Sequence, residues 1–126
     1  MIPKFRAWSK KFKRMYEVTL IDYENGDVGL KDEHGGVAIG DIKQLILMQS
    51  TGMFDKNGVE IFEGDVVKLQ YTITSDLELF EVRQFRGGMW RIDNRRRGSD
   101  LWLRNEDCEV IGNIYKDIEL LESVEE

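Results

Sequence analysis

Hydrophobic and polar positions alternate in steps of two along most of this chain, and glycine-marked breaks interrupt them about every ten residues. In RMYEVTLID, residues 14–22, an extended backbone sets Met15, Glu17, Thr19 and Ile21 on one side and Tyr16, Val18, Leu20 and Asp22 on the other. The tight-turn triplet Asn25-Gly26-Asp27 then leads into DVGLK, so residues 14–31 read as a β-hairpin. DEHGG turns the chain into GVAIGDI. A second hairpin is built from DVVKLQYTI, the turn TSD, and LELFEVRQF. RGG leads on to MWRID, the polar NRRRGSD turns into LWLR, and CEVIGNIY closes the series.

Two segments depart from simple alternation. QLILMQS carries a continuous apolar run from Leu45 to Met48 that fits a buried strand or a short helix, and its length favours the strand. KDIELLESVEE spaces Ile118, Leu121 and Val124 along one face of a short helix. Together these segments predict an all-β fold, a small barrel or two packed antiparallel sheets of about eight or nine short strands, with a C-terminal helix. A single domain over residues 1–126 is expected, since nothing reads as a linker or repeat.

Composition adds little to that picture, while charge distribution adds more. A chain of 126 residues, 41% hydrophobic and 33% charged, is ordinary for a folded domain with a polar surface. No run approaches the length of a membrane span, and no apolar segment follows the basic opening as it would in a signal peptide, so the expected location is the cytoplasm, without membrane attachment. The net charge is −6, yet Lys4, Arg6, Lys10, Lys11, Lys13 and Arg14 give the first fourteen residues only positive charges. Arg83, Arg86, Arg91, Arg95, Arg96 and Arg97 form a second basic segment interrupted only by Asp93. Such segregation either steers a partner or lets acidic and basic strands attract one another within the fold, and the second is the simpler account.

Candidate chemistry is sparse. Cys108 is the sole cysteine and His34 the sole histidine, so no metal set of the usual spacing assembles and no internal disulfide forms. Cys108 has acidic neighbours and reads as a small core residue rather than a nucleophile. QSTGMFDKNGVEIFEGDVVKL crowds Asp55, Asn57, Glu60, Glu63 and Asp65 around glycines. It fails as a calcium loop, because Val59 and Ile61 fall where oxygen ligands belong, and it lacks the Gly-Lys-Ser/Thr ending of a phosphate loop. Two close turns, one at Asn57-Gly58 and one at Glu63-Gly64-Asp65, explain the polar residues more economically.

KFRAW, Met15 after a basic loop, LMQSTGMFDKNGVEIFEGDVV and the closing CEVIGNIYKDIELL together resemble the YopX family of phage and prophage proteins. Ser50 departs from that pattern, since the family carries an aromatic before Thr-Gly. The resemblance implies a small, mainly β protein encoded on mobile phage-type DNA that self-associates. It implies no established activity and supplies no catalytic residues.

Two functional classes follow. The first is a non-enzymatic binding module that forms homo-oligomers and engages an unidentified phage or host protein, with Trp8, Trp90 and Trp102 as candidate anchors weighed against core packing. The alternative is nucleic-acid binding through the segment from Arg83 to Arg97. There Arg86, Trp90, Arg91, Arg95, Arg96 and Arg97 are the candidate contacts, against which stands a pI near 4.9. No catalytic, cofactor or metal residues are expected.

Overall fold

The computed structural model describes residues 4–125, which fall into two compact units divided after Ser50. The first holds β1 (Phe5–Ser9), β2 (Arg14–Asp22), β3 (Asp27–Lys31) and β4 (Val37–Asp41), and β5 (Leu45–Phe54) begins there. The second holds the end of β5, then β6 (Glu60–Phe62), β7 (Asp65–Gln70), β8 (Leu77–Gln84), β9 (Trp90–Asp93), β10 (Gly98–Asp100), β11 (Glu109–Asn113) and the helix α1 (Ile118–Glu125). Hydrogen bonding orders the strands β4-β3-β2-β1-β5-β6 in one sheet and β10-β9-β8-β7-β11 in the other. Each order starts and ends on a different strand, so neither sheet closes. The fold is therefore all-β, two antiparallel sheets with a short C-terminal helix, and the expected closed barrel does not form.

Each unit has its own apolar centre. In the first, Ala7, Val28, Leu30 and Leu45 are buried, with Tyr16, Val18, Ile42 and Leu47 packed against them. In the second, Ile61, Val67, Leu69, Phe80, Val82, Ile92, Leu101 and Cys108 are buried together. Leu45 to Met48 form strand, as their length predicts.

The period-two reading of β2 fails at one point. Val18 pairs with Leu30, but Leu20 pairs with Gly29, so Thr19 is an extra residue in a β-bulge. Beyond it every side chain changes face: Ile21, opposite buried Val28, turns inward and Leu20 is left 65% exposed. Gly29 accommodates the bulge, because a Cβ there would meet Thr19 Oγ1 at 2.6 Å and Leu20 Cβ at 3.3 Å.

Two further expectations are corrected. LWLR, predicted as strand, is a 3-10 turn over residues 101–103 with Leu101 buried and Trp102 and Leu103 exposed; the strand is instead Gly98–Asp100, in the segment read as a polar turn. In α1, Leu121 and Val124 turn inward as expected, with Leu120 half-buried beside them, whereas Ile118 is exposed. Glu126 lies outside the described residues.

Candidate functional site

The arginine-rich segment occupies β8, β9 and the turns that flank β9. Register places Arg83 directly opposite Arg91, and Glu81 opposite Asp93, on the same face of the sheet. Two facing guanidinium groups would repel unless acids intervene. They do: Arg83 Nε lies 3.3 Å from Glu81 Oε2, and Arg91 bridges Asp93 Oδ1 at 3.3 Å and Asp100 Oδ1 at 3.2 Å. Gly98 opposite Asp93 makes this arrangement fit, because a Cβ at Gly98 would run into the Asp93 carboxylate and lie 2.8 Å from Arg91 Nη2.

Arg97 is also engaged inside the fold. Its Nε is 3.5 Å from Glu78 Oε2, and its guanidinium stacks over the Tyr71 ring at 4.8 Å; Arg104 covers the same ring at 4.5 Å. The turn carrying it is fixed by Asn94. The Asn94 side-chain oxygen accepts from Arg96 and Arg97 N–H groups, both at 2.9 Å, and its amide donates to the Leu79 carbonyl at 3.2 Å.

Of the candidate contacts, Arg86, Arg95 and Arg96 are exposed and have no carboxylate partner among the described residues. They do not form one patch. Arg86 sits in the turn before β9, and Arg95 and Arg96 in the turn after it, so the length of β9 separates them, about 13 Å at 3.3 Å per residue. A cavity of about 380 Å³ beside Arg95 is lined by Arg83 and Arg95 but also by Asp93, Asn94 and Val124, a mixed and not a purely cationic surface. The attraction between acidic and basic strands accounts for Arg83, Arg91 and Arg97. It does not account for Arg86, Arg95 or Arg96.

The tryptophans separate as well. Trp8 is buried and Trp90 is half-buried against the second core, while Trp102 is 65% exposed. The Arg91, Asp93 and Asp100 cluster is the described site where two carboxylates flank an arginine; there the guanidinium sits between the acids and ties β9 to β10. Asp55 and Asp65 serve turns. Asp55 Oδ1 accepts from Asn57 and Val59 N–H groups at 2.8 and 2.9 Å, its Oδ2 accepts from Val110 N–H at 2.8 Å, and Asp65 Oδ2 accepts from Phe62 N–H at 2.8 Å.

Sequence reasoning missed two surfaces. The β1–β2 turn holds Lys10, Lys11 and Lys13 around Phe12, with Arg14 at the start of β2, all exposed; its signal is the run of basic residues that opens the chain. The second is the outer end of the first sheet, where Leu20, Val37 and Ile39 are 65%, 79% and 77% exposed. The bulge hides its signal, since without it Leu20 counts with Val18 as core.

No helix among the described residues is long and apolar enough to cross a membrane. No curated protein matches the chain. Among solved structures, it is similar to protein EF1440 from Enterococcus faecalis at 31% identity and a TM-score of 0.64, covering 96% of this chain and 99% of that one. The protein yopX from Bacillus subtilis has the same fold, with a TM-score of 0.64 over 97% of this chain and 98% of that one at 24% identity. The family model of the YopX protein matches residues 4–122, and the chain belongs to the YopX protein family.

Proposed function

We propose that this is a non-enzymatic, protein-directed binding module of phage or prophage type that acts in the host cytoplasm and assembles with copies of itself. The observation that carries the reading is the gathering of Leu20, Val37 and Ile39 on one exposed face that ends at the terminal strand β4. Apolar side chains concentrated at a sheet edge are costly for a protein that never covers them. The arginine segment supports the same reading from the other side, since Arg83, Arg91 and Arg97 already have acidic partners. Light scattering across a hundredfold range of protein concentration tests it. Particles larger than 14.7 kDa at micromolar concentration are expected, and a monomer throughout would refute self-association.

Nucleic-acid binding is the second reading, supported by Arg95 and Arg96, exposed and without a carboxylate partner among the described residues, on a turn held by Asn94. Salt-sensitive retention on single-stranded DNA that disappears on changing Arg86, Arg95 and Arg96 together to Ala would favour it.

A further inference from the structure

The β3–β4 ladder determines which backbone groups of β4 face outward. Asp32 N–H donates to the Gly36 carbonyl and Ile42 N–H to the Gly26 carbonyl, both at 2.9 Å. In an antiparallel ladder, hydrogen-bonded pairs recur every second residue, so Ala38 and Gly40 turn their N–H and C=O groups toward β3. Val37, Ile39 and Asp41 turn theirs to the open edge, since β4 is the last strand of its sheet. The same three residues carry their side chains on the exposed face.

That face is banded. One row across the strands is Glu17, Lys31 and Val37, the next is Leu20, Gly29 and Ile39, and the third is Asp22, Asp27 and Asp41. The third row holds three carboxylates on neighbouring strands, and like charges directly opposite one another weaken a sheet. A partner that lays a positive charge beside Asp41 and an apolar side chain beside Ile39 would relieve the repulsion and cover the band.

We infer that the partner is a second copy of this chain, its β4 antiparallel to the first about a two-fold axis at Ile39. This rests on the self-association proposed above and specifies its edge. In this register Ile39 pairs with Ile39 of the other copy, and Val37 pairs with Asp41 in each direction, so all three outward residues on each side become hydrogen-bonded. The row through Leu20, Gly29 and Ile39 continues unbroken into its symmetry mate. Lys31, one strand behind Val37, stands two strand spacings, about 10 Å, from Asp41 of the second copy, and its four-carbon stem extends across Val37 toward that carboxylate. The charge match occurs twice, once on each side of the axis, as an isologous interface requires.

Proline scanning distinguishes this edge from the rest of the fold. Ile39→Pro removes an outward N–H and leaves the β3–β4 bonds in place, whereas Ala38→Pro removes an inward one. Ile39→Pro is expected to halve the mass of the smallest stable particle at an unchanged circular dichroism spectrum, and Ala38→Pro to lose sheet signal. Ile39→Cys is expected to give a disulfide-linked dimer on mild oxidation. The native chain should remain uncrosslinked, because its one cysteine, Cys108, is buried. If Ile39→Pro does not fold, the double change Val37→Lys with Ile39→Lys opposes like charges at the same axis and should give the same loss of mass. A native protein that is monomeric refutes the self-association reading and this edge with it. A native oligomer whose mass survives the edge changes, with Ile39→Cys staying monomeric on denaturing gels, overturns this inference alone and leaves β4 to an extended segment of another protein.

Discussion

Asp55→Ala is a large perturbation of the second unit for a residue that reads in sequence as one of the polar residues of a turn. The side chain lies in a residue only 5% exposed and accepts three backbone N–H bonds, two within its own turn and one from Val110 on β11. A hydrogen bond to a charged group contributes about 1.5–3 kcal/mol, and an orphaned buried donor costs about 1–3 kcal/mol. Asn57 and Val59 lie in an exposed turn where water can replace the carboxylate, so about 0.5 kcal/mol each is reasonable, while the half-buried Val110 N–H loses about 2 kcal/mol. The expected cost is about 3 kcal/mol, a fall in Tm on the order of 10–20 °C for a unit this size. The charge makes a second test possible. Burial alone would raise the Asp55 pKa, but donation from Val110, Val59 and Asn57 outweighs it and holds the carboxyl below its ordinary value of 3.8. A depressed folded-state pKa stabilises the protein above the unfolded value, and the contribution is lost as pH falls through the folded value. The gap between native protein and Asp55→Asn should therefore be full at pH 6 and shrink toward pH 3. Urea denaturation of the native protein and both variants at those two pH values measures it. A cost for Asp55→Ala below about 1 kcal/mol, set against the range for lost charged hydrogen bonds, or a pH-independent gap for Asp55→Asn, would refute the reasoning.

Three further outcomes are expected. Gly58 sits at φ +79° with open space around its α-carbon, so Gly58→Val carries backbone strain without a clash and should cost about 1–3 kcal/mol in denaturant melts. Gly98→Ala should push apart Arg91, Asp93 and Asp100, at a cost of about 1–3 kcal/mol that is non-additive with Arg91→Met in a double-mutant cycle. Burial, reinforced by the nearby Asp55 charge, pushes the Cys108 thiol up to about 12, so a thiol reagent at pH 8 should label it only at the rate at which the unit opens.

Most of the architecture was legible because alternation and glycine turns are local signals, and β2, β3, β5, β7, β8 and β9 fall where they predict. The failures have separate physical causes. The bulge at Thr19 exchanged Leu20 and Ile21, and in the first turn of α1 Leu120 rather than Ile118 is partly covered, while Leu121 and Val124 keep the expected side. LWLR looks like a strand from its apolar content, but only Leu101 is buried, and the polar GSD pairs with β9 in its place. In the loop at Asp55 the turns were readable, but the tie to Val110, fifty-five residues away, was not.

The charges show why the candidate site was only half visible. A run of arginines in sequence says nothing about what stands across the ladder, and here Glu81, Asp93, Asp100 and Glu78 stand across from or beside three of them. Pairing on this partly exposed face contributes little to stability, roughly 0–1 kcal/mol per pair, yet it removes those arginines as long-range attractors of phosphate. The first sheet shows the reverse: ordinary apolar residues become distinctive only when a bulge and a terminal strand leave them together in solvent. Surface chemistry in this fold is therefore decided by register, and β4, the last strand of its sheet among the described residues, is where register ends.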